Sequence, residues 1–82
     1  MHERALLDEV MRKIEQVAAA EGAARVTRIQ VRLGALSHFT PEHFREHFVD
    51  ASRGTLAEGA TVDARLDEAR TTDVVIEEIE VD

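Results

Sequence analysis

The sequence has no cysteine, tryptophan or tyrosine, a single proline, and only four glycines in 82 residues. Without cysteine there is no disulfide to staple a small domain and no thiolate to build a zinc site or act as a nucleophile. No apolar run approaches the roughly 20 residues needed to cross a bilayer. The N-terminus also lacks the basic stretch followed by a hydrophobic one that marks a secreted chain. A cytoplasmic protein without membrane association is the expectation. Catalytic signatures are missing too: there is no phosphate-cradling glycine loop and no GxSxG elbow. Ser37 has no evident means of activation by the adjacent His38, since neighbours in an irregular turn rarely reach that geometry. No enzyme activity is expected.

Positive charge is scarce in the final third. Residues 1–54 hold eight basic and eight acidic side chains, whereas 55–82 hold two and nine, which accounts for the net charge of -7. Such a distribution repels nucleic acid and suits a basic partner or hard cations, or else is simply the solvated face of a strand. A hydrophobic fraction of 44% is ordinary for a folded protein, and 82 residues are enough for one core but not two. Residues 1–82 are therefore read as a single domain. There is no internal repeat and no low-complexity linker.

Hydrophobic spacing supplies the elements. From Arg4 to about Glu21, residues Leu6, Leu7, Val10, Met11, Ile14, Val17 and Ala18 form one stripe at helical spacing, with Gly22 as the stop. Between Thr27 and Leu33, Ile29, Val31 and Leu33 alternate with Arg28, Gln30 and Arg32, the period of a half-buried strand ended by Gly34. Thr40 then reads as an N-cap, Pro41 as the first helical residue, and Phe39 as a staple onto Phe44. Phe44, Phe48 and Ala51 form the buried side of this second helix, which should end at Gly54. Val62, Ala64 and Leu66 alternate as a second strand. In the third, about Asp73 to Val81, Val74 and Ile76 differ in parity from Ile79 and Val81, so one extra residue near Glu77 is needed to keep all four on the core face. The link 68–72 has no glycine or proline and so lacks the mark of a tight hairpin. The expected fold is an α/β (α+β) two-layer sandwich of two helices on one three-stranded sheet, in the order helix-strand-helix-strand-strand.

The first three residues, Met1, His2 and Glu3, carry chemistry of their own. A side chain as large as that of His2 ordinarily protects an initiator methionine from removal. The Met1 amine, the deprotonated His2 amide and His2 Nδ1 can then close two adjacent chelate rings around one cation. A fourth position is open to the Glu3 amide, the Glu3 carboxylate or another molecule. Planar nitrogen coordination suits nickel(II) or copper(II) better than zinc, magnesium or calcium, and affinity alone places copper above nickel. A histidine at position two is common by chance, and a frayed terminus is the plain alternative.

Other segments add to this opening MHE: GALSHFTPEHF at 34–44, RGTLAEGATV at 53–62 and IEEIEV at 76–81. Together they resemble the HypA/HybF family of nickel metallochaperones across nearly the whole chain. Gly34, Leu36, Ser37, Pro41 and Glu42 match the family's turn into its second helix. Gly54, Thr55, Ala57, Glu58, Gly59 and Ala60 match its approach to the second strand. The resemblance implies nickel delivery to the precursor of a nickel enzyme, either the hydrogenase large subunit or urease, together with a HypB-like GTPase. It implies that His2 is the essential ligand, with Met1 contributing its amine and Glu3 its backbone nitrogen. The family also has a zinc module built from two CxxC pairs, inserted between the second and third strands. Here that module is missing at 68–72, so no structural zinc is expected, and regulation of transfer is altered or absent.

His43 and His47 lie four apart on the second helix and can chelate a metal together, as a second site or as a capture point, although they are outside the family's nickel motif. The alternative is a solvated edge beside Phe44 and Phe48. A rival to the whole metal reading is a protein-interaction or homodimerisation module of the same fold with an idle N-terminus.

Overall fold

The computed structural model describes residues 2–82, with side chains from Arg4 onward, so Met1 and the side chains of His2 and Glu3 lie outside the described residues. The elements run α1 (His2–Ala20), β1 (Val26–Gly34), α2 (Pro41–Ser52), β2 (Thr61–Asp67) and β3 (Val74–Val81). Two helices and a three-stranded sheet in this order give the expected α+β sandwich.

The helix α1 starts two residues before the apolar pattern does, because polar residues carry no periodic signal. It ends in a Schellman cap: Ala23 N–H donates to Ala18 O at 2.9 Å and Gly22 N–H to Ala19 O at 3.1 Å, with Gly22 at φ 65°. Leu7, Val10, Met11, Ile14 and Ala18 are buried, but Val17 is 39% exposed and Leu6 only partly covered. Both lie on the flanks of the stripe, where Leu6 packs at the margin of the core beside β3.

At α2 the Thr40 hydroxyl accepts from His43 N–H at 3.1 Å, and Phe39 packs edge-on against Phe44 with ring centroids 5.5 Å apart. This is the expected cap and staple. Phe44 and Phe48 are fully buried, and Ser52 rather than Ala51 continues their line. Ser52 is accommodated because its Oγ donates to Val49 O at 3.2 Å, while Ala51 is exposed toward the gap between the helices.

The sheet order is β2-β1-β3, with β1 parallel to β2 and antiparallel to β3. Parallel pairing of β1 and β2 requires a crossover, which α2 supplies. On β3 the register steps from Gln30↔Glu78 to Val31↔Ile76, leaving Glu77 as the extra residue, and Val74, Ile76, Ile79 and Val81 all pack against the core. A second step, between Val26 and Arg28, restores the register and was not signalled by the pattern. Val62 and Ala64 are buried, whereas Leu66 is 55% exposed at the far end of an edge strand where the helical layer does not cover it.

Because β2 and β3 lie on opposite edges, their link must cross the end of β1. It does so over Gly34. Gly34 N–H donates to Asp73 O at 2.9 Å, Ala35 N–H to Ala69 O at 3.0 Å and Leu36 N–H to Thr71 O at 2.9 Å. A Cβ at position 34 would overlap the Thr71 carbonyl oxygen and hydroxyl, so only glycine fits beneath the link.

Candidate metal centre

The first turn of α1 takes the backbone from His2 onward into a helix. The first four N–H groups of any α-helix have no acceptor within it. The His2 and Glu3 amides, which begin α1, belong to that set. Deprotonating them for metal binding therefore breaks no helical hydrogen bond. It also removes part of the positive end of the helix dipole, which would otherwise oppose a cation. The amine of Met1 and the side chains of His2 and Glu3 lie outside the described residues.

Arg4, Leu7, Asp8 and Met11 on the following turns line one side of a groove of about 700 Å³, faced by His47 and Asp50 of α2. On the opposite face of α1, Ala5, Leu6 and Glu9 meet Leu36, Ser37 and His38. His38 is exposed in a left-handed turn at φ 67°, a conformation histidine tolerates better than most residues. Ser37 is buried, and its Oγ accepts from Phe39 N–H at 3.4 Å, a turn-forming role. The structure thus places His38 beside α1 but outside the groove that His47 lines.

It brings His43 and His47 together. Their Nε2 atoms are 2.7 Å apart and their ring centroids 4.4 Å. Both rings meet Phe39 edge-on, with centroids at 6.1 and 6.4 Å, so they flank Phe39 rather than the Phe44 and Phe48 stripe. His43 is exposed and His47 half-buried.

Much of the acidic excess of the last third is held internally. Arg28, at the centre of the outer sheet face, contacts Asp63 at 3.1 Å, Glu78 at 3.0 Å and Glu80 at 3.1 Å, and Arg32 lies 3.3 Å from Asp67. Burial alone would lower the Arg28 pKa, but hydrogen bonding and charge from Glu80, then Glu78 and Asp63, outweigh it and the pKa is raised. Strand order brings these partners together, and no spacing in the sequence signals it. Among the described residues no three histidine or carboxylate side chains converge as a ready cation site, which leaves the acidic third as the solvated, arginine-paired face of a sheet.

Residues 1–79 match the profile of the family described as hydrogenase/urease nickel incorporation, metallochaperone, hypA. The chain belongs to the HypA family. Among relatives, it is 43% identical over 63 residues to the hydrogenase maturation factor HypA of Methylocella silvestris, covering 77% of this chain and 56% of that protein. The HypA of Archaeoglobus fulgidus is 35% identical over 69 residues, covering 84% and 63% respectively. This HypA chain therefore spans little more than half the length of the curated relatives it matches. The solution structure of the Ni metallochaperone HypA from Helicobacter pylori superposes with a TM-score of 0.72 at 15% identity, over 99% of this chain and 97% of that one, and so shares the fold. HypA relatives are named as maturation factors and metallochaperones, not enzymes. Among the described residues no helix is long and apolar enough to cross a membrane.

Proposed function

We propose that this chain binds nickel(II) at its N-terminus and hands it on during maturation of a nickel enzyme such as a [NiFe]-hydrogenase. The observation that carries the reading is the match to a nickel-incorporation family from residue 1, the same terminus whose amine and imidazole are chemically suited to a planar ion. Met1 contributes its amine, His2 its amide and imidazole, and Glu3 its amide nitrogen. Helix-terminal amides without an internal acceptor are the donors such chelation requires. Since two of the donors are amides that must lose protons, binding releases protons and strengthens with pH. Nickel is cargo here, held by a terminus that a recipient can strip.

A HypB-like GTPase and a hydrogenase large-subunit precursor are the partners this reading carries, in the cytoplasm. Residues 1–82 act as one nickel-binding domain. The link 68–72 closes the point at which the family's zinc module would leave, and its hydrogen bonds to residues 34–36 support a closed connection.

The test is a nickel titration of the protein with its native terminus, by calorimetry and absorbance, beside His2→Ala and a form with one residue added before Met1. One tight nickel with a planar yellow spectrum, lost in both altered forms, is expected. Tight binding that survives either change, or no tight binding at all, refutes the assignment and favours an interaction module with an idle terminus.

A further inference from the structure

We propose that His43 and His47 form a second transition-metal site on α2, separate from the N-terminal chelate, that takes nickel(II) or copper(II) in two adjacent coordination positions. The two Nε2 atoms already lie 2.7 Å apart. A metal about 2.0–2.1 Å from each nitrogen needs them roughly 2.9 Å apart at a right angle and roughly 3.4 Å apart at a tetrahedral one. Only about 0.2 Å of opening serves the planar or octahedral ion, against about 0.7 Å for tetrahedral zinc. Small rotamer adjustments cover the first distance. Each imidazole coordinates through its Nε2 lone pair, so on binding any proton on either Nε2 must move to Nδ1 of that ring or to solvent.

The pair is also held in place. Phe39, itself buried, meets both imidazoles at 69°, and the next positions on the helix, Phe44 and Phe48, are anchored in the core. The Thr40 cap fixes the backbone at His43 itself. Little side-chain freedom is left to lose on chelation. The first turns of a helix carry partial positive charge, but Glu42, Glu46 and Asp50 on the same helix oppose it. His47 lines the groove shared with Arg4 and Asp50, through which water or a further ligand can reach the ion. This places the site beside the first turn of α1 while using none of its ligands.

The test keeps the two metal sites distinguishable. Protein with an acetylated N-terminal amine is titrated with nickel(II), copper(II) and zinc(II) by calorimetry, and the histidine ring signals are followed by NMR. The same titrations are made on His43→Gln, an exposed position that leaves the core untouched, and on His47→Gln. The expected result is one ion per chain in the acetylated protein, with His43 and His47 perturbed, His38 unaffected, and loss of binding in either variant. Copper should bind most tightly and nickel more tightly than zinc. Absence of binding to the acetylated protein, or binding that persists in both variants, overturns the site. Zinc binding tighter than nickel overturns the adjacent-position geometry. Failure of the N-terminal reading instead shows as loss of tight nickel binding in native-terminus protein carrying both glutamine substitutions.

Discussion

Replacing Gly34 by alanine isolates the crossing of the β2–β3 link over the end of β1. The backbone at Gly34 is not left-handed, so alanine is excluded only by what lies above it, the carbonyl and hydroxyl of Thr71. If the link stays down, overpacking costs about 1–3 kcal/mol. If it lifts, three hydrogen bonds from residues 34–36 are weakened, at about 0.5–1.5 kcal/mol each. The molecule takes the cheaper course, and the loss of glycine freedom in the unfolded chain returns about 0.4–1 kcal/mol. A net loss of about 1–1.5 kcal/mol is a sizeable share of the roughly 4–12 kcal/mol expected for a domain of this size. It should lower Tm by roughly 5–10 °C. The assay is thermal and urea unfolding by circular dichroism, with Gly22 as the control. Gly22 has φ 65° and open space around its missing Cβ, so alanine there costs about 1–2 kcal/mol through backbone strain alone. Asparagine, which tolerates that conformation, should recover stability at 22 but not at 34. A Gly34→Ala protein as stable as the parent, or Gly34→Asn rescued to the same degree as Gly22→Asn, refutes the packed crossing.

Two further outcomes follow from the caps and the sheet face. Thr40→Ala leaves His43 N–H without its side-chain acceptor and should cost about 1 kcal/mol, or about 4–8 °C in Tm, with Thr40→Ser close to the parent. Arg28→Gln removes the shared cation from Asp63, Glu78 and Glu80, so Tm should fall at low ionic strength and recover in part at high salt, where the carboxylates repel one another less. The raised pKa of Arg28 sets the pH behaviour: its stabilisation is complete below its unfolded pKa and is lost only as pH rises through the folded value. Both lie far above neutrality, so the Tm difference between Arg28→Gln and parent should not vary through this arginine's own ionisation near neutral pH. A Tm difference insensitive to salt would count against the charge network.

Local order was legible in the residues themselves. The helix stripe, the glycine stop at 22, the Thr40 cap with Pro41, and the extra residue at Glu77 all follow from side-chain period and backbone preference, which act over a few neighbours. The opening MHE offers an amine, an amide and an imidazole in sequence, the donor set on which the proposed nickel site rests. That His43 and His47 share a face came from helical spacing too. Contacts between distant residues were not legible. The order β2-β1-β3 made the 68–72 link a crossing rather than a hairpin and gave Gly34 its steric role. The same order gathered Asp63, Glu78 and Glu80 around Arg28. The extent of the helical layer exposed Val17 and Leu66, which their periodicity had assigned to the core, and at α2 a buried Ser52 stood where Ala51 was expected. Sequence period fixes which way a side chain points along its own element. Only the packed structure decides whether another element stands there to meet it.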